Sequence, residues 1–513
     1  MIRAFAVSSV REAEALAMAD LQDGELMARA ASGLAAVASA RLGGPGGRRV
    51  VAIVGAGNNG GDALYALVAL ARDGANATVV QVAESAHEGG LRAAREAGAV
   101  VLDGLGGGAD SASVVTSTLR EADLVIDGIV GIGGRPGLSA PIQALLGEVS
   151  DTAYVLAVDL PSGADPDGQV AAQGCVFADE TVTFIVAKPV HLLSATEPAV
   201  GRLTILDLGV KVAATPVVER VGADDVCRLW PRPGPADDKY SRGVLGVVAG
   251  GEKYTGAALL AVTSAVCSGA GMVRYVGPPT PTLLIRGQVP EAVIGVGQVQ
   301  AWLVGPGLDV DDESALGRAQ REAARSALDS GLPAVVDAGG LDLIVGPRKT
   351  PTLLTPHAGE LATLLSRLQG GRATVDRATV AGAPLAHARA LADLTNSTVL
   401  LKGATTLVVS PGSCGLPVRS QADGPPWLAT AGSGDVLAGL AGMLLASGLS
   451  ARDAGSLAAL VHGLAADASN PGGPVRALAL AHAIPGVVGG LMVRRSANRL
   501  RHFHHDRTDS RVG

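Results

Sequence analysis

Short apolar runs that break off at glycine recur along the whole chain. Segments such as RRVVAIVGAG, TVVQV, ADLVIDGIVG, AYVLAVDLPSG, ETVTFIVAKP and GRLTILDLGV are β-branched and lack polar alternation. Strands of that kind are buried on both faces, as a parallel sheet between helical layers requires. Helix-like stretches separate them, so the pattern is α/β and doubly wound. A second series follows: GVLGVVAGG, GMVRYVGPP, AWLVGPGLDV, LPAVVDAGGL, TLLTPHAGE and STVLLKGATTLVVS, then a long Ala/Leu/Gly segment from Gly434. The loop motifs of the two series do not repeat, which indicates two different α/β domains and not a duplication. A length of 513 residues accommodates both. Between Lys211 and Pro235 the sequence mixes Pro, Asp and Arg and lacks an apolar period, so the junction is expected there.

Composition narrows the partners. Aromatic residues make up 2% of the chain and the formal charge is −7, so neither stacking platforms nor a basic face for nucleic acid is expected. Phosphate would have to be bound locally, by backbone N–H groups and a few cations. Cys175, Cys227, Cys267 and Cys414 form no CxxC pair and are read as reduced and buried. The start MIRAFAVSSVREAEALAMAD carries early charge and no long apolar stretch, so a cytoplasmic location without a signal peptide is expected. Tyr254 to Val273 is uncharged and long enough to span a bilayer, but its glycines and hydroxyl residues fit a buried helix better. The basic end, residues 496–513, reads as a disordered tail, and its His502, His504 and His505 as solvated residues of it, not a metal site.

The first candidate site lies where VVAIVGAGNNGGD runs from strand through a glycine loop into a helix. The glycines admit close approach of backbone N–H groups to a phosphate at the helix start. A lone GxGxxG is a weak signal, and an ordinary nucleotide-binding Rossmann domain with structural aspartates stays open. Against a conventional NAD site, TVVQV ends in Gln81 and Val82 where an acid for the ribose is usual. Asn58, Asn59 and Asp62 add polar side chains to the loop, and two later strands end at Asp127 and Asp159, with Ser162 just beyond. Asn59, Asp127 and Ser162 could converge as hard oxygen ligands for a monovalent or alkaline-earth cation. Asp159 remains as a candidate acid/base group.

NNGGD, the D-x-x-x-G loop, VDLPSG and the opening ELMARAASGLA resemble the epimerase domain of the NAD(P)H-hydrate repair family. The resemblance implies a Rossmann-like three-layer domain over residues 1–215 that interconverts the R and S hydrates. It implies that Asn58, Asn59, Gly60, Gly61 and Asp62 hold the substrate together with Gly131, Ile132, Gly133, Gly134, Arg135, Pro136 and Gly137. Asn59, Asp127 and Ser162 would bind potassium, and Asp159 would sit at the hydrated ring. Ala63 and the GIGGRPG loop depart from the family's usual residues.

ATAGSGDVLAGLAGMLLASG carries the second site. Its glycine loop opens a helix with Asp435 in the first turn, where N–H groups can bind a transferring phosphate and the carboxylate can take a hydroxyl proton. A helix start with Asp435 merely favouring the dipole is the plainer reading. VGPGL, VDAGGL, LTPHAGE, LLKGATT and HGLAAD then follow in an order that resembles the family's ADP- or ATP-dependent dehydratase domain, a ribokinase-like α/β fold, here over residues 220–495. That resemblance implies that Ala257, Gly307, His357 and Asp435 contact the hydrated nucleotide. Lys402, Gly403, Ala404, Thr405, Thr406 and Gly434 would contact ADP, with Mg²⁺ screening the phosphates and AMP and phosphate as products. Lys239 and Lys253 are weaker candidates for neutralising phosphate. In VDAGGL, Gly339 stands where the family has a second Asp. The substrates implied are the hydrates of NADH and NADPH, and the resemblance implies a homo-oligomer, a tetramer through the second domain being one arrangement. Two other readings remain: a ribokinase-like small-molecule kinase fused to a nucleotide-binding domain, and a non-catalytic metabolite sensor.

Overall fold

The computed structural model describes residues 1–106, 108–171, 174–371 and 375–505, with 494–505 by backbone alone. The chain divides into two compact units, one of Arg3–Val218 and one of Met1–Ile2 with Glu219–Gly513. The stretch expected as an irregular junction carries the strand Val218–Arg220 and the helix Ala223–Leu229. Of the tail expected at 496–513, residues 506–513 lie outside the described residues, and the helix Ala477–His505 carries the backbone through the rest.

In the first unit seven parallel strands lie in the order Val100–Asp103, Asn76–Gln81, Arg49–Val54, Leu124–Gly128, Tyr154–Val158, Glu180–Phe184, Arg202–Leu206. Chain order reverses between Arg49–Val54 and Leu124–Gly128. Such a reversal leaves a crevice at the strands' carboxyl ends, because the crossovers on its two sides leave in opposite directions. Asn59 begins its helix beside that crevice, and Asp127 and Asp159 end strands next to it.

The second unit is built on a sheet whose parallel part runs Val293–Ile294, Met272–Val276, Val244–Val248, Ala301–Val304, Ala334–Val336, Thr352–Leu354, Thr398–Leu401. The segment STVLLKGATTLVVS, expected as one strand, folds back on itself. Thr398–Leu401 pairs antiparallel with Thr406–Val409, which pairs antiparallel with Val418–Gln421. A crossover helix is not needed for antiparallel neighbours, so residues 402–405 are left as a turn at the sheet's end. The apolar helix Ser433–Ala446 is buried along most of its length, packed on Thr255–Cys267. The bilayer-length segment therefore ends as a buried helix and a strand, and among the described residues no helix is long and apolar enough to cross a membrane. Of the four cysteines read as buried, only Cys227 is; Cys175 and Cys267 are half-buried and Cys414 is exposed.

Gly246 and Trp302 are register partners on adjacent strands. A methyl group at Gly246 would overlap the Trp302 ring. Gly246→Ala should therefore lower the stability of the second unit by about 1–3 kcal/mol. Trp302→Leu in the same chain should restore part of it in denaturant titrations, since the smaller side chain vacates the clash.

Candidate active sites

The first site is assembled from three strand ends. The loop after Arg49–Val54 opens the helix Asn58–Arg72 without a side-chain cap. A Cβ at Gly60 would stand 2.5 Å from the Gly55 carbonyl oxygen, so only glycine lets the loop close against its strand. Asp127 is fully buried and accepts from the Ser162 backbone N–H (2.8 Å), the Ser162 hydroxyl (2.6 Å) and the Ile129 N–H (3.3 Å). The Ser162 hydroxyl in turn accepts from the Val130 N–H at 2.9 Å. Burial pushes Asp127 up to about 6, against the pull of those hydrogen bonds. The Asn59 amide lies against Gly131, in the next loop after Asp127. Asn59, Asp127, Ser162 and the loop 131–137 are thus brought together. Within that loop Ile132 offers its carbonyl to Arg11 at 2.9 Å.

Asp159 has a left-handed backbone, φ 65°. A non-glycine residue in that region is strained, and such strain collects at functional sites. Its N–H bonds the Val182 carbonyl at 2.8 Å, which fixes the turn. Its carboxylate meets the fully buried Lys188 at 2.6 Å and the Thr183 hydroxyl at 3.0 Å. Burial alone would raise Asp159, but Lys188 outweighs it and holds the carboxyl below its ordinary value. His191 accepts the Lys188 backbone N–H on Nδ1 (2.9 Å) and donates from Nε2 to the Asp159 carbonyl (2.7 Å). Burial pushes its pKa down to about 4, so it is neutral and serves to lock the turn.

The second site centres on the start of Ser433–Ala446. Gly432, at φ 87°, turns the chain into the helix, and no side chain caps the first turn. The Ser433 hydroxyl donates to the Leu428 and Thr430 carbonyls at 2.9 Å, and His462 donates to the Ser433 carbonyl at 2.9 Å. Burial holds His462 down to about 4, hence neutral. The loop is tied from both sides while its N–H groups stay available to an anion.

Lys402 is set at the end of Thr398–Leu401 by the bond from its N–H to the Pro356 carbonyl, 2.9 Å. Its ammonium lies 2.9 Å from Asp337 and 3.6 Å from Glu360, and a Cβ at Gly434 would be 3.5 Å from it. Burial works against the ammonium, but Asp337 and Glu360 keep its pKa above the ordinary lysine value. Lys402 is thus held among carboxylates. Burial pushes Asp435 up to about 7, Asp337 and Glu360 add to the rise, and Lys402 pulls against it.

The other expected residues fall into two groups. Gly403, Ala404, Thr405 and Thr406 form the turn and the start of the next strand beside Lys402. Ala257 and Gly307 meet each other: a Cβ on Gly307 (φ 67°) would stand 2.7 Å from the Ala257 methyl. Leu260, one turn beyond Ala257, lies against Gly432 and so joins this pair to the Asp435 loop. His357 caps Ala358–Leu368, its Nδ1 accepting the Gly359 and Glu360 N–H groups at 3.1 Å, with most of the ring exposed.

Comparison with known proteins gives the same division. The family described as YjeF-related protein N-terminus matches residues 23–190, and that described as NAD(P)H-hydrate dehydratase matches 245–485. A bifunctional NAD(P)H-hydrate repair enzyme of Mycobacterium tuberculosis is 43% identical over 468 residues, 88% of this chain and 90% of its own. One from Mycobacterium leprae is 42% identical over 488 residues, covering 91% and 94%. The chain belongs to the family of bifunctional NAD(P)H-hydrate repair enzymes. Among solved structures, an ADP/ATP-dependent NAD(P)H-hydrate dehydratase from Bacillus subtilis, co-crystallised with ATP/Mg²⁺, aligns over 53% of this chain and 97% of its own at 24% identity and TM-score 0.45. Family membership favours neither a vitamin-precursor kinase fused to a nucleotide-binding domain nor a sensor without chemistry.

Seen as a repair enzyme, the chain places several polar groups that sequence reading did not single out. Lys188 follows a strand in an unremarkable AKP and reaches Asp159 only because Glu180–Phe184 pairs with Tyr154–Val158. Glu360 lies in the quoted LTPHAGE, but its partner Lys402 is remote in sequence. Gly339, which stands where the family has a second Asp, has no room for a side chain here, since a Cβ would overlap the Leu308 carbonyl. Removing the Lys402 charge should raise Asp435 further above 7. In Lys402→Met, the acid limb of the ADP-dependent reaction should move to higher pH; an unmoved limb would show that Lys402 does not tune Asp435.

Proposed function

We propose that the crevice of the first unit inverts the hydrated ring carbon and that the second unit expels the added water, with Asp159 and Asp435 as the groups that meet the reacting oxygens. As a whole the chain is a repair enzyme for hydrated NADH and NADPH, epimerase and dehydratase in one. Water added to an enamine places the hydroxyl on the carbon beside the ring nitrogen. That carbon can invert by losing the hydroxyl to an iminium and regaining water on the other face. Asp159, ionised beside Lys188, is the acceptor for the proton of the incoming water. The NNGGD and GIGGRPG loops supply the backbone donors that hold the nucleotide.

Asp127 is a buried carboxylate whose hydrogen-bond partners are all neutral, and Asn59 and Ser162 add oxygen atoms beside it. This set fits potassium, whose positive charge would offset Asp127 and fix the two loops.

In the second unit the leaving group is the problem, because hydroxide departs poorly. Transfer of a phosphate from ADP to the ring hydroxyl makes phosphate the leaving group; its departure forms the iminium, and loss of a proton from the neighbouring ring carbon to solvent restores the dihydropyridine, giving AMP and phosphate. Asp435 takes the hydroxyl proton, while the first-turn N–H groups and Lys402 face the transferring phosphate. Asp337, Glu360 and Asp435 surround one ammonium. Nucleotide phosphates would add negative charge to that set, which calls for a divalent cation. Among the described residues no three His, Cys, Asp or Glu side chains form a metal centre, so Mg²⁺ would arrive on the nucleotide.

The observation that supports this reading is that each site keeps a buried aspartate under the influence of one lysine: Lys188 bonds Asp159 at 2.6 Å, and Lys402, bonded to Asp337, acts on Asp435 from farther off. Asp159→Ala should slow use of the R epimer about 100-fold or more and leave ADP-dependent use of the S epimer intact; equal loss of both contradicts two separate sites. Because Asp435 must be ionised to accept a proton and titrates at about 7, S-epimer turnover should rise with pH through that value. Asp435→Asn should abolish turnover while nucleotide binding persists.

A further inference from the structure

We infer that Asp62 is the proton donor of the epimerase site, delivering a proton to the departing ring hydroxyl while Asp159 receives one from the incoming water; this rests on the epimerase reading above. Asp62 is the fifth residue of Asn58–Arg72, one turn into the helix that opens at the crevice. One of its carboxyl oxygens is buried with no hydrogen-bond partner, as is the Asn59 amide nitrogen one turn earlier. Buried polar atoms are almost always paired, so two orphans in one loop mark where a ligand's polar groups belong.

The charges around Asp62 decide its state. From the helix Val7–Asp20 come Glu14 and Arg11; the Arg11 guanidinium is bonded to the Ile132 carbonyl. From the end of Tyr154–Val158 comes Asp159, and from the turn after Glu180–Phe184 come Lys188 and the neutral His191. On its own helix, neighbouring Gly61 packs against His87, whose Nδ1 accepts the Gly90 N–H. The buried Lys188 is engaged with Asp159. Here burial first, then the charges of Asp159 and Glu14, push Asp62 up to about 8. Two carboxyls in one site are thereby separated into a neutral donor and an ionised acceptor, the arrangement that assigns acid and base roles.

The step balances without a redox partner. Asp62 gives its proton to the hydroxyl oxygen, and the carbon–oxygen bond breaks with its electron pair on oxygen. Water leaves, and the nitrogen lone pair forms the carbon–nitrogen double bond of the iminium. Water adds to the opposite face, its proton passes to Asp159, and exchange through solvent returns a proton to Asp62. One water departs and one enters.

The test follows interconversion of separated R and S hydrates by the full-length protein without ADP. For the wild type, kcat should fall as pH rises through about 8. Asp62→Asn should lower kcat by about 100-fold or more with KM changed only a few-fold, and the alkaline limb should disappear. Asp62→Glu, which keeps an acid there, should recover part of the rate and the limb. A wild-type kcat that is level across that range, or Asp62→Asn within threefold of wild type, overturns the inference whether or not other variants fold. If the wild type does not interconvert the epimers faster than buffer does, the epimerase reading fails instead.

Discussion

A helix start leaves backbone N–H groups without partners, and a parallel strand delivers the chain directly to such a start. Both units of this protein are built on that constraint. In one, Arg49–Val54 feeds Asn58–Arg72; in the other, residues 418–432 lead into Ser433–Ala446 at the same end of a sheet as Lys402 and Asp337. Neither helix start is closed by a side-chain cap. Gly60 stands where a Cβ would meet the Gly55 carbonyl, and Gly432 turns the chain at φ 87°, so each loop reaches its helix through a glycine. The proposed phosphate contacts rest on those two uncapped ends, with Lys402 beside the second.

Charge then separates the two chemistries. The chain is acidic, and each site gathers more carboxylates than cations. A single lysine therefore decides which carboxylate stays ionised. Lys188 bonds Asp159 directly and holds it charged. Lys402 bonds Asp337 and only pulls at Asp435 from a distance, so Asp435 is left to titrate near neutrality. Asp159 follows a strand and Asp435 opens a helix, and their neighbours hold them in different charge states.

Much of this was legible in the sequence because local motifs carry it. Apolar runs ending in glycine marked the strand ends, and the residues at those ends, Asn59, Asp127, Ser162 and Asp159, are the ones the fold gathers. What was not legible depends on pairing across the sheet. Lys188 and Glu14 reach the first site from segments without a distinguishing pattern, and only strand order and helix packing bring them in. The hairpin after Lys402 escaped for a related reason: an apolar run does not announce where it reverses. Cys414 shows another error, since the lack of a pairing partner does not fix a cysteine's burial, and Cys414 closes the exposed turn Gly412–Cys414. At Gly339 the backbone leaves no room for a side chain, because a Cβ would overlap the Leu308 carbonyl.

The central claim is that one chain converts either epimer of hydrated NADH or NADPH to the reduced cofactor, inverting one hydrate before dehydrating it. The most direct measurement supplies purified R hydrate, ADP and Mg²⁺ and follows the absorbance of the reduced nicotinamide. The account predicts a short lag, appearance of the S hydrate, and then complete recovery of the reduced cofactor with one AMP formed per molecule repaired. Recovery no faster than uncatalysed inversion of the R hydrate, or recovery without formation of AMP, would contradict it.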